Sequence, residues 1–170
     1  AARRERENIF LSNPFIPDIK ILFGKEYAVA LESRSIIEEM TGYRISDDEA
    51  GFIALHIHSG LSDEAVSETL KATQLIDESM QIIEEHLEKE MQKEALNYIR
   101  LMSHLYYMVV RTKTGEAVNI DLNEFVQEKY PEAMKIAALI CDNMAEKLER
   151  QIMQEEVGFL AIHIQRMIAA

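Results

Sequence analysis

Apolar residues recur at helical spacing along almost the whole chain. Asn13-Pro14 opens a short run carrying Ile16, Ile19 and Leu22, and Gly24 breaks it. A longer helix is predicted from about Lys25 to Met40, closed by Thr41-Gly42. Ser46 with Glu49 three residues on forms a capping box, so a new helix starts there and runs to about His58, where Ser59-Gly60 ends it. Residues 63–89 read as one long amphipathic helix with Leu70, Thr73, Ile76, Met80, Ile83 and Leu87 on one side. Further helices are predicted from about Lys93 to Arg111, with a turn over Thr112–Gly115, and from a cap at Asp121 to Lys129. Tyr130-Pro131 then starts a helix to Arg150, and a last one runs from near Met153 to the end.

The same pattern returns. Asp48-Glu49-Ala50-Gly51-Phe52-Ile53-Ala54-Leu55-His56-Ile57 reappears as Glu155-Glu156-Val157-Gly158-Phe159-Leu160-Ala161-Ile162-His163-Ile164, an offset of 107 residues. A repeat of this length implies two copies of one module. Carried without gaps, the offset lays Phe23-Gly24 on Tyr130-Pro131, Ile45 on Ile152 and Arg4 on Arg111. Two helices that precede Arg111 then have no counterpart in the first copy. The expected fold is all-α: tandem helical-bundle modules of about five helices, the first one truncated. A half-module exposes apolar faces, so the first copy is expected to be covered by a second chain or to be mobile.

Five histidines are the candidate chemistry. In each copy an acid, an aromatic, an aliphatic and a histidine share one helix face: Glu49, Phe52, Ile53 and His56, then Glu156, Phe159, Leu160 and His163. An imidazole there is either a hydrogen-bonded core residue or a nucleophile at a seam, and its repetition favours function. His104 lies on a helix that is apolar on most sides, with Arg111 two turns on along the same face. Arg111 either meets an anion held near His104 or caps the helix C-terminus. His58, near a helix end, and His86, in a charged stretch, read as solvated. No HxxxH, CxxC or ExxH spacing presents two ligands on one face, so no metal and no cofactor is expected. The lack of a phosphate loop or nucleophile elbow speaks against an enzyme.

Charge narrows the partners. The formal net charge of −12 repels phosphate backbones, so this chain by itself is a poor binder of DNA or RNA. The single cysteine, Cys141, forms no internal disulfide and suits a reducing, cytoplasmic setting. No apolar run approaches a membrane span.

These residues carry a family likeness. The Ser-His-Leu segment at His104 with Arg111, the Tyr130-Pro131 break and the two acidic-x-Gly-Phe-x-Ala-x-His-Ile helices resemble PTS regulation domains. Those are paired helical modules of bacterial transcriptional antiterminators of the BglG/LicT/GlcT type. The resemblance implies that residues 1–62 are the C-terminal half of a first module and residues 63–170 a complete second. It implies phosphorylation of His104 and His163 in the second module and of His56 in the first. The partner of His56 would map before Ala1. Arg111 and Arg166 would support the phosphoryl groups, and Glu49 or Glu156 would repel them. The implied donors are the phosphocarrier HPr and a sugar-specific enzyme II. The implied output is a homodimer that controls RNA binding by an N-terminal domain absent from this chain. The same modules on a DNA-binding activator, or a constitutive helical dimerisation module with structural histidines, are the alternatives.

Overall fold

The computed structural model describes residues 12–62 and 65–169. The alignment of Arg4 on Arg111 and the expected helix start at Asp63 lie outside the described residues, as does Ala170. The described residues form eight helices and no strand, an all-α fold. In chain order these are α1 (Ile16–Leu22), α2 (Gly24–Thr41), α3 (Asp47–Ser62), α4 (Val66–Leu87), α5 (Leu96–Thr114), α6 (Asn123–Lys129), α7 (Pro131–Leu148) and α8 (Gln154–Ile168). The chain divides into two compact units at Gln74/Leu75, so the division falls inside α4.

The offset of 107 residues holds across three helices. It carries the bounds of α1 onto those of α6 and those of α2 onto those of α7, and it places the start of α3 on that of α8. The break between the first two helices of each unit is also alike. Phe23 has φ −124° and ψ 42°, and Tyr130 has φ −136° and ψ 58°. Gly24 is therefore not the breaker: it is the first residue of α2, and the turn is made at Phe23.

Capping explains several helix ends. The Ser46–Glu49 box forms as predicted: the Glu49 amide donates to Ser46 Oγ at 3.2 Å, and the Ser46 amide donates to Glu49 Oε2 at 3.1 Å. Gly42 and Gly115 take the left-handed conformation after α2 and α5, at φ 72° and 74°. Ser59-Gly60 does not stop α3, which continues to Ser62. One glycine inside a helix lowers its propensity but does not by itself end it. Asp121 acts just before α6, where its carboxylate accepts the Asn123 amide at 2.9 Å.

In the first unit, α2 buries Tyr27 and Ala30, while Val29, Ile36 and Met40 stand 52%, 58% and 79% exposed. In the second unit, α5 buries Leu101, Met102, Leu105, Met108 and Val109. Against this face pack Leu160, Ala161 and Ile164 of α8, with Ile136, Ala137 and Ile140 of α7 completing the core.

The repeated glycine has a packing reason in both units. A Cβ on Gly158 would lie 2.6 Å from Asn123 Oδ1 and 3.2 Å from the backbone at Asn123 N and Leu122 C. A Cβ on Gly51 would lie 2.4 Å from Ile16 Cδ1 and 2.8 Å from Asn13 Nδ2, both side-chain atoms. Backbone yields less than the end of a side chain. Gly158→Ala is therefore expected to destabilise the protein by about 1–2 kcal/mol after the better helix propensity of alanine is counted, and Gly51→Ala by less. Urea unfolding of the two variants checks the order, and a less stable Gly51→Ala would refute it.

Candidate functional site

The site is built from two helices of the second unit, α5 and α8. His104 and Arg111 lie two turns apart on one face of α5, and Glu156 and His163 lie two turns apart on one face of α8. The helices face each other so that 104 meets 163 and 111 meets 156, an antiparallel register. The imidazoles of His104 and His163 stack with centroids 4.6 Å apart and planes 28° from parallel. Arg111 grips Glu156 with two bonds: Nε donates to Oε1 at 2.6 Å and Nη2 donates to Oε2 at 2.9 Å. Glu156 is only 2% exposed, so this is a nearly buried, bidentate ion pair.

His104 sits at the junction. Its side chain is 13% exposed, and Nε2 is buried without a hydrogen-bond partner, 3.8 Å from Glu156 Oε2. That gap is too long for a hydrogen bond. Burial, then His163, then the positive charge of Arg111 push the His104 imidazole down to about 3. The nearby carboxylate does not reverse this because its charge is already engaged by Arg111. His104 is therefore neutral at pH 7 and forms no ion pair with Glu156. Burial, followed by the charges of Arg166 and Arg100, also lowers His163. A cavity of about 220 Å³ is lined by His104, Arg111, Val118, Glu156 and Phe159. The arrangement is a neutral, largely buried imidazole beside a guanidinium whose fork is filled by a carboxylate; a neutral imidazole can act as a nucleophile, and a guanidinium fork suits carboxylate or phosphate.

The structure thus brings together four of the residues singled out above: His104, His163, Arg111 and Glu156. Of the two sequence-based roles for Arg111, the contact matches the first: the anion it meets beside His104 is the Glu156 carboxylate, which fills its fork. Arg166 is exposed on the last turn of α8 and acts on His163 by charge. Arg100, one turn before His104, does the same from α5 and was missed. Its i to i+4 spacing to His104 was the available signal.

The other histidines separate. His56 is exposed on α3, although Glu49, Phe52 and Ile53 beside it are half-buried. His86 is exposed, as expected, with Nδ1 2.8 Å from the Ile82 carbonyl oxygen. His58 corrects its expectation. It is not solvated: its ring lies 4.1 Å from that of Phe23 and its Nδ1 is 3.0 Å from Glu26 Oε1. The hydrogen bond to His58 holds the Glu26 carboxyl below its usual range against the opposing effect of burial. Cys141 is buried in α7, and burial pushes its thiol up to about 12, which leaves no reactive thiolate. Among the described residues, no three His, Cys, Asp or Glu side chains converge on a metal position, and no helix is long and apolar enough to cross a membrane.

Comparison with known proteins identifies the family. The family model of the PRD domain matches residues 1–60 and again residues 77–167. The chain belongs to the PRD-domain family. It is 29% identical, over 98% of its length, to the PtsGHI operon antiterminator of Bacillus subtilis (strain 168). It is 32% identical over 98% of its length to the beta-glucoside operon antiterminator of Dickeya chrysanthemi, and 29% identical over 99% to the transcription antiterminator LicT of Bacillus subtilis (strain 168). All three relatives are antiterminators. The chain spans about 60% of the length of the first two and 62% of the third.

Proposed function

We propose that this chain is the regulatory region of a sugar-responsive transcriptional antiterminator and is switched by phosphorylation of its histidines. The reading rests on the stacked, neutral His104–His163 pair beside the Arg111 guanidinium. Residues 1–62 and 63–170 belong to two successive regulatory modules. His104 and His163 are the acceptors of the second module and His56, exposed on α3, is an acceptor of the first. Arg111 and Arg166 support the phosphoryl groups. The donors are HPr and a sugar-specific enzyme II, and the setting is the cytoplasm.

The chain works as a homodimer. Leu96, Ile99 and Tyr107 of α5 stand exposed and supply apolar surface suited to a second copy. A phosphoryl group adds roughly −1.5 to −2 charge near neutrality, and two-fold symmetry presents each such charge twice. Local phosphorylation thereby resets the packing of the modules and, through it, the RNA binding of a separate domain. The names of the antiterminator relatives support this output.

The test is phosphotransfer from phosphoenolpyruvate through enzyme I and HPr to the purified chain. Label is expected on His104 and His163 and is expected to vanish from the second unit when both are replaced by alanine. If neither histidine takes label, with or without the sugar permease domain, the function is not phosphorylation control.

A further inference from the structure

Glu156 is the group in this site that phosphorylation does not explain. A carboxylate already occupies the fork that suits a phosphoryl group, and the same carboxylate faces the nitrogen that would carry one. We infer that Glu156 is a built-in stand-in for phosphate on Arg111: a phosphoryl group on His104 Nε2 takes the guanidinium, expels Glu156 and thereby unties the start of α8 from α5. This extends the phosphorylation reading above and rests on it.

Space compels the exchange. Glu156 Oε2 lies 3.8 Å from His104 Nε2, an ordinary van der Waals gap that holds no covalent substituent on Nε2. Charge points the same way. A phosphoryl dianion and a carboxylate in one nearly buried pocket repel, and the dianion has the stronger claim on the fork. The adjoining cavity of about 220 Å³ gives the displaced carboxylate a way out.

The consequence falls on α8. Glu156 belongs to its first turn, and its pair with Arg111 ties that turn to α5. A second hydrogen bond there runs from Asn123 Nδ2 of α6 to the Gln154 carbonyl oxygen at 2.9 Å. With Glu156 released, the turn keeps its contacts to α6 and loses its ion pair to α5. The local event becomes a change in how α8 begins.

The chemical step is a phosphoryl transfer between nitrogens. The phosphorus–nitrogen bond of a donor phosphohistidine breaks, and the donor nitrogen keeps the electron pair. The lone pair of His104 Nε2 forms the new bond to phosphorus, and one ring proton passes from His104 to the donor side.

Phosphoramidate, a small donor that needs no protein, tests the exchange on the whole chain. Wild type and Glu156→Gln are treated and His104 labelling is followed by mass spectrometry, with amide hydrogen exchange at Gly158–Leu160 read before and after. Wild type is expected to exchange about tenfold faster there once His104 is labelled. Glu156→Gln is expected to label several-fold faster and to exchange quickly from the outset, with little further change. Equal labelling rates and an unchanged α8 on phosphorylation would overturn the inference. The wild-type comparison alone decides it if Glu156→Gln fails to fold. Label from HPr without any change in α8 would sink the exchange and leave the phosphorylation reading intact. Label and opening from phosphoramidate, with none from HPr, would do the reverse. No label at His104 from either donor would end both.

Discussion

Arg111→Ala is expected to destabilise the second unit by about 3 kcal/mol and to lower its melting temperature by on the order of 10–20 °C. The cost arises at the partner. Glu156 is 2% exposed, and without Arg111 its carboxylate is a buried charge with no counter-ion. Breaking such a pair costs roughly 3–5 kcal/mol, and the cavity beside Glu156 lets water or a turned side chain relieve part of it, hence the lower end. The pair itself contributes less than its loss suggests, because both ions were desolvated to form it. Arg111→Ala combined with Glu156→Gln should therefore recover most of the loss, and the double-mutant cycle should return a coupling of about 2 kcal/mol. Thermal unfolding followed by far-UV circular dichroism measures all four corners. An Arg111→Ala protein within about 1 kcal/mol of wild type would mean that Glu156 reaches another partner.

That pair also marks how far the sequence could be read. The helices were legible because their signals are local: the Ser46–Glu49 box, the Gly42 and Gly115 caps and the Tyr130-Pro131 break each act within a few residues. The repeat was legible as well, and it carried the helix bounds from one unit to the other. Gly60 misled because a glycine inside a helix and one that ends it look alike until the next turn is known. His104 and His163 were found singly, each on an apolar helix face, and the resemblance joined them as a phosphorylatable pair. Their stacking depends on the antiparallel register of α5 and α8, which no local pattern specifies. Arg111 with Glu156 was hidden for the same reason: the two are seven residues from His104 and His163 in opposite chain directions, and only the register brings them face to face. His58 was misjudged because helix position does not reveal that Phe23 and Glu26 come from a neighbouring helix and its approach.

Acidification is expected to weaken the protein well before its carboxylates protonate. The ordinary imidazole value is 6.5, and burial with the nearby His163 and Arg111 takes His104 down to about 3. Between these values the unfolded chain binds a proton at His104 that the folded chain refuses. The stabilising contribution is thus fully present above 6.5 and is lost as pH falls, at about 1.4 kcal/mol per pH unit for a full proton difference. By about pH 5 His104 alone should account for roughly 2 kcal/mol, with half-buried His163 adding a smaller loss of the same sign. Glu26 and Asp47, whose carboxyls are held below their ordinary values of 4.5 and 3.8, enter only at lower pH. His104→Gln should flatten the slope between about pH 5 and 6.5, as measured by urea unfolding at each pH. An unchanged slope would place the refused proton elsewhere. The same depressed value has a functional face. An imidazole that stays neutral keeps a ring lone pair, so on the proposed phosphorylation of His104 its labelling by a donor whose own chemistry is pH-independent should hold level well below 6.5. A fall in His104 labelling centred near 6.5 would mean that the ring is solvated when it reacts, and that the site opens before the phosphoryl group arrives.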